Sequence, residues 1–69
     1  MADTDYSIPV AKRFADGAAI IAAAQPDADV CSEHDQLWFG SARGLSAETL
    51  AALDVLGWFE TKEGMSFLT

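Results

Sequence analysis

The segment from Leu45 to Trp58 has both of its ends written into it, and it constrains the fold more than any other feature of the chain. Ser46 is a preferred N-cap residue, and Leu45 and Leu50 stand at the spacing of a hydrophobic staple. Leu50, Leu53 and Leu56 then form one apolar stripe. Gly57 occupies the place of a left-handed C-terminal cap, from which Trp58 can pack back on Leu53. The product is one short helix, about 16 Å long at 1.5 Å per residue. That length suits a crossover between strands of about five residues.

Strand-like segments lie on both sides of this helix. Residues 28–34 and 36–40 read as two strands joined by a tight turn at His34-Asp35. That hairpin pairs Cys31 with Trp38 and Val30 with Phe39, placing Val30, Leu37 and Phe39 on a core face. Asp29, Glu33, Gln36 and Trp38 take the other face. After the helix, Trp58 to Thr61 and Met65 to Thr69 flank a three-residue connection, Lys62-Glu63-Gly64. This register opposes Phe59 to Phe67 and Thr61 to Met65 on the core side. Trp58, Glu60, Ser66 and Leu68 then point outward.

An earlier helix precedes the first hairpin. Ser7 can cap it, and Pro9 fits a first turn where no N–H is required. Val10, Phe14, Ala18, Ile21 and Ala22 recur at helical spacing, and Gln25-Pro26-Asp27 ends the run. Gly17 lowers helix propensity, but its missing side chain lets the helix lie close to a sheet. The order is helix, hairpin, helix, hairpin. We therefore expect an α+β fold, one sheet of about four strands with both helices on one face, and a single domain over 1–69. Residues 1–6 read as a flexible N-terminal arm.

Composition limits what such a fold can do. Of 69 residues 51% are hydrophobic, but much of that share is alanine, so the large side chains form only a marginal core. Eleven acids against four bases leave a net charge of −7, which argues against direct binding to nucleic acid or an anionic membrane. The lone cysteine, Cys31, can form no internal disulfide, and the acidic N-terminus is not a secretory leader, so a cytoplasmic protein is expected. The longest apolar run, Ala18 to Ala24, falls far short of the roughly 20 residues that span a bilayer.

Enzyme chemistry finds little support. Cys31 and His34 sit three apart, which on a strand means opposite faces, so they make a poor thiol–base pair. The loop Gly40-Ser41-Ala42-Arg43-Gly44 lacks the lysine and the spacing of a phosphate loop. Asp27, Asp29, Cys31 and Glu33 imitate the start of a calcium loop, but Ser32 and Trp38 stand where glycine and glutamate are required. No catalytic residue, metal or cofactor is assigned. What remains is a surface. If residues 27–35 are largely extended, their carboxylates recur about every 6.6 Å, twice the strand rise. Glu60 and Glu63 add charge from the second hairpin. Such a row can imitate a nucleic-acid backbone and occupy a basic channel. Trp38 and Trp58 lie on the same outer face in this register, where tryptophan often anchors binding. Alternatively, Tyr6 and Ile8 cover Trp38 while Trp58 packs on Leu53.

The run from Gln36 to Thr69 resembles a pattern in short phage and prophage proteins: apolar strand, polar loop, Ser-capped helix, Leu56-Gly57-Trp58, then an acidic turn before an aromatic strand. In size, acidity and layout the chain is also similar to small anti-CRISPR proteins that act on type I surveillance complexes, type I-C among them. The resemblance implies a phage-encoded inhibitor working in the host cytoplasm, blocking a crRNA-guided complex from its target DNA. It transfers no residue. The expected function is thus a non-enzymatic inhibitor that uses Asp27, Asp29, Glu33, Asp35, Glu60 and Glu63, with Trp38 as aromatic anchor, to fill a basic nucleic-acid site on a host protein or ribonucleoprotein. The alternative is a small adaptor or regulatory protein that binds its partner through the tryptophan-bearing sheet face. Either one fits a monomer or a homodimer.

Overall fold

The computed structural model describes residues 4–68, so residues 1–3 of the expected arm lie outside the described residues. The elements follow the expected order: α1 (Val10–Ala24), β1 (Val30–Glu33), β2 (Gln36–Phe39), α2 (Ala47–Val55), β3 (Phe59–Thr61) and β4 (Gly64–Leu68). The four strands form one antiparallel sheet in the order β1-β2-β4-β3. Because β2 and β3 both run antiparallel to β4, they are parallel to each other. The β2-α2-β3 crossover therefore straddles the central strand β4, and β1 and β3 are left as edges.

Helix α2 ends as its sequence requires. The Thr49 N–H donates to Ser46 Oγ at 3.1 Å, closing the N-cap. At the other end the Trp58 N–H reaches the Leu53 carbonyl at 2.9 Å and the Gly57 N–H reaches that of Asp54 at 3.0 Å. Those two bonds define a Schellman ending, and Gly57 has the positive φ it needs, 94°. Helix α1 starts differently from expectation. The Asp5 carboxylate accepts both the N–H and the hydroxyl of Ser7, so Ser7 forms a local turn and Pro9 becomes the N-cap without a side-chain bond. Those two bonds hold the Asp5 carboxyl below its ordinary value.

The core joins Ile21 of α1 and Leu53 of α2 to Trp58, Met65 and Phe67, all fully or almost fully buried. Leu37 and Phe39 pack against it from β2, which places both helices on the Met65–Phe67 side of the sheet. The buried face of α1 is rotated from the expected stripe. Gly17 and Ile21 are buried, whereas Val10 is half exposed and Ala22 lies at the surface. The cause is Trp58, whose indole lies against Gly17 and stacks on Phe14 at 6.0 Å and 18°. Its Nε1–H donates to the Arg13 carbonyl at 3.2 Å.

Trp58 also overturns the expected second hairpin. It lies in the core, not on the outer face, because the Schellman ending turns it onto Leu53. Alternation from that fixed point sends Phe59 and Thr61 outward and Glu60 to the helix side. The observed pairs are Phe59 with Ser66, Glu60 with Met65 and Thr61 with Gly64. The register is one residue away from the expected one. The connection is a two-residue turn, Lys62-Glu63, in which Thr61 Oγ1 accepts the Glu63 N–H and donates to the Gly64 carbonyl. In β4 the expected phase holds, with Met65 and Phe67 in the core and Leu68 outward.

The first hairpin pairs as its sequence predicts: Val30 with Phe39 and Cys31 with Trp38. Val30, however, is 62% exposed, because the edge strand β1 extends past the helices. His34, the first turn residue, has φ 56°, a left-handed conformation that a Cβ disfavours. His34→Gly is expected to stabilise the fold by about 0.5–1 kcal/mol by relieving that strain. Thermal unfolding at pH 7.5 checks this, with an expected rise in midpoint of about 2–8 °C. An unchanged or lower midpoint would show that the turn carries no strain.

Candidate functional site

Side chains on the sheet face opposite the helices follow from the register. Cys31 and Glu33 come from β1, Gln36 and Trp38 from β2, Ser66 and Leu68 from β4, and Phe59 and Thr61 from β3. Ser66 sits between its cross-strand neighbours Trp38 and Phe59 and has no exposed surface. Its hydroxyl donates to the Leu37 carbonyl at 2.9 Å and accepts from Gln36 Nε2 at 2.8 Å. These two bonds satisfy the buried Ser66 hydroxyl and fix the floor beneath Trp38. Trp38 is half buried, and its indole Nε1–H is fully covered with no acceptor among the described residues.

The expected acids divide into three groups. Glu33 and Glu63 join Cys31 and Trp38 around one open groove of about 250 Å³. Asp27, Asp29 and Asp35 are exposed in the segments that lead into and out of the edge strand β1. An extended run over 27–35 is not observed: only Val30–Glu33 is strand, between turns at Pro26-Asp27 and His34-Asp35. Since β1 holds a single acid, Glu33, the expected row of carboxylates about every 6.6 Å does not form. Glu60 is separated from these acids. It stands opposite Met65 on the helix side and lines a second groove with Asp54, Leu50 and Trp58. The slipped register moves it there, so it cannot extend the acidic face that carries Glu33.

Tyr6 does not cover Trp38. It is 80% exposed and lines a separate cleft with Arg13, Phe59 and Leu68. The Arg13 guanidinium lies over the Tyr6 ring at 5.3 Å, and its Nε–H donates to the Ile8 carbonyl. Together with the Asp5 N–H bond to the Val55 carbonyl, this ties residues 5–8 to both helices. The 40–44 loop, read from sequence as a bare connection, is held by Gln25. The side chain of Gln25 donates to the carbonyls of Ser41 and Arg43 and accepts the Ser41 N–H. Nothing in the spacing of Gln25 announces that role, because its partners lie 16 to 18 residues away.

Among the described residues, no three of His, Cys, Asp and Glu come together to hold a metal ion, and no helix is long and apolar enough to cross a membrane. Cys31 is exposed on the outer face and His34 lies in the turn, so no thiol–imidazole contact is formed. The Trp38 groove is open and smaller than the roughly 300–1,000 Å³ of most small-molecule sites. It fits a protruding side chain better than an enclosed substrate. No family model, curated protein or solved structure matches the chain.

Proposed function

We propose that this protein is a non-enzymatic inhibitor that occupies a basic nucleic-acid site on a host complex, a type I CRISPR surveillance complex being the first candidate through the resemblance in size, acidity and layout to small anti-CRISPR proteins. The observation that supports this most is a juxtaposition. Trp38 is half exposed on a sheet face that neither helix covers, bordered by Glu33 and Glu63, and Asp27, Asp29 and Asp35 are exposed in the segments flanking the edge strand β1. An aromatic anchor ringed by carboxylates offers a basic channel both long-range attraction and a desolvated contact. The proposed binding set is Asp27, Asp29, Glu33, Asp35, Glu63 and Trp38; Glu60 is omitted.

The test measures binding of the protein to purified type I surveillance complexes between low and physiological salt. It is then repeated after changing Asp27, Asp29 and Asp35 to Asn and Glu33 to Gln. Electrostatic competition predicts that affinity falls steeply with salt and that the neutralised variant binds about tenfold weaker or worse. Salt-insensitive binding, or full inhibition by the neutralised variant, would exclude the mechanism. If Trp38→Ala abolishes binding while salt has little effect, the adaptor reading takes its place, with the exposed Leu68 and the half-buried Phe59 as further contacts.

A further inference from the structure

We infer that the groove lined by Cys31, Glu33, Trp38 and Glu63 is a receptor for a single arginine side chain of the protein partner. The inference rests on the proposed function only for the source of that arginine, a basic nucleic-acid site, and not for the groove. The lining of the groove and the chemistry of its residues support it. The groove brings two carboxylates to one tryptophan from separate elements, Glu33 from the end of β1 and Glu63 from the β3–β4 turn. Tryptophan is the best aromatic face for a cation, and arginine, whose guanidinium is planar, is its most frequent partner. Two carboxylates beside that face can accept from the guanidinium edge, which carries five N–H donors in a fixed fork.

A further observation concerns why position 38 holds a tryptophan. The covered Trp38 Nε1–H has no acceptor among the described residues, and a buried donor left unmade is unfavourable. Phenylalanine would present a similar apolar body over Ser66 without that defect. A bound guanidinium, which only donates, would leave that N–H unmade, but the indole offers a cation a better face than phenylalanine would. The choice of arginine over lysine follows from shape. A flat ion can stack on the ring and bond at its edge together, while a compact ammonium can optimise only one of these contacts.

The probe is the blocked peptide acetyl-Gly-Arg-Gly-amide, with lysine and citrulline versions as comparators. It is titrated at low ionic strength into isotopically labelled protein. The readout is the indole N–H resonance of Trp38, identified by its loss in Trp38→Phe, with that of Trp58 as internal reference. We expect a saturable shift of the Trp38 signal alone, with a dissociation constant of about 1–10 mM for so small a ligand. Citrulline should leave the signal in place, and Glu33→Gln with Glu63→Gln should weaken binding about tenfold. The arginine peptide should also slow alkylation of Cys31, the only cysteine of the chain. No shift, equal shifts with citrulline or lysine, or undiminished binding by the double variant would overturn the inference. The two proposals fail separately. Arginine binding without inhibition of a surveillance complex would retain the groove and remove the inhibitor. Inhibition without arginine binding would do the opposite.

Discussion

Gly17→Ala is expected to unfold most of the protein, although alanine is the better helix former by about 1 kcal/mol. A Cβ at position 17 would lie 2.0 Å from Trp58 Nε1, 2.3 Å from Cδ1 and 2.8 Å from Cε2. The indole cannot easily yield. It is 1% exposed and wedged between Phe14 and Phe67, with ring centroids at 6.0 and 5.2 Å. Moving it also breaks the bond from Nε1–H to the Arg13 carbonyl. Overpacking a core costs about 1–3 kcal/mol where neighbours can adjust, and here three rings must shift together. A chain of this size holds only about 3–10 kcal/mol in total. Far-UV circular dichroism and thermal melting provide the check, with Ala15→Gly as control on an exposed face of the same helix. The control should lose about 1 kcal/mol. A Gly17→Ala midpoint at or above wild type would refute the proposed contact.

Trp58→Ala is the second large effect. Deleting a buried tryptophan costs about 3–5 kcal/mol, and this one carries two of the three aromatic contacts in the core. It also follows the cap of α2, so its loss loosens the phase of β3. Denaturant unfolding should therefore show little or no cooperative transition. Trp58→Phe should be milder, leaving a gap beside Gly17 where the indole nitrogen stood. Its combination with Gly17→Ala is the more incisive test. The added methyl then enters space that the smaller ring has vacated, so the double variant should be more stable than Gly17→Ala alone. Contacting residues couple by about 0.5–3 kcal/mol. Simple additivity of the two losses would mean that residues 17 and 58 do not share this contact.

These two positions also mark how far the sequence could be read. The missing side chain of Gly17 suggested a close approach, but to a sheet; the neighbour proved to be one indole. Trp58 carried two incompatible signals. Capping preferences placed it on Leu53, and the alternation of a strand beginning at residue 58 placed it outside. The cap prevailed because its bonds are local and form with the helix, so the strand takes its phase from the cap. From that single choice follow the slipped register, the outward turn of Phe59 and the removal of Glu60 from the acidic face. The binding groove was only half legible. The pairing of Cys31 with Trp38 was predictable from the first hairpin, and Glu33 lies two residues beyond Cys31. The approach of Glu63 to them was not, since it depends on β4 lying beside β2.

The sequence by itself determined the elements whose energetics are local. Ser46 and Gly57-Trp58 set the ends of α2, and the two-residue turn at His34-Asp35 set the register of β1 and β2. It also settled the α+β class with both helices on one face of a four-stranded sheet. Only the tertiary structure decided the strand order, the burial of Trp58 against Gly17 and the division of the acids between two sides of the sheet. Those outcomes depend on contacts between residues about thirty to forty positions apart. Their strength comes from fitting one ring against one backbone, and no periodicity in the chain encodes that fit.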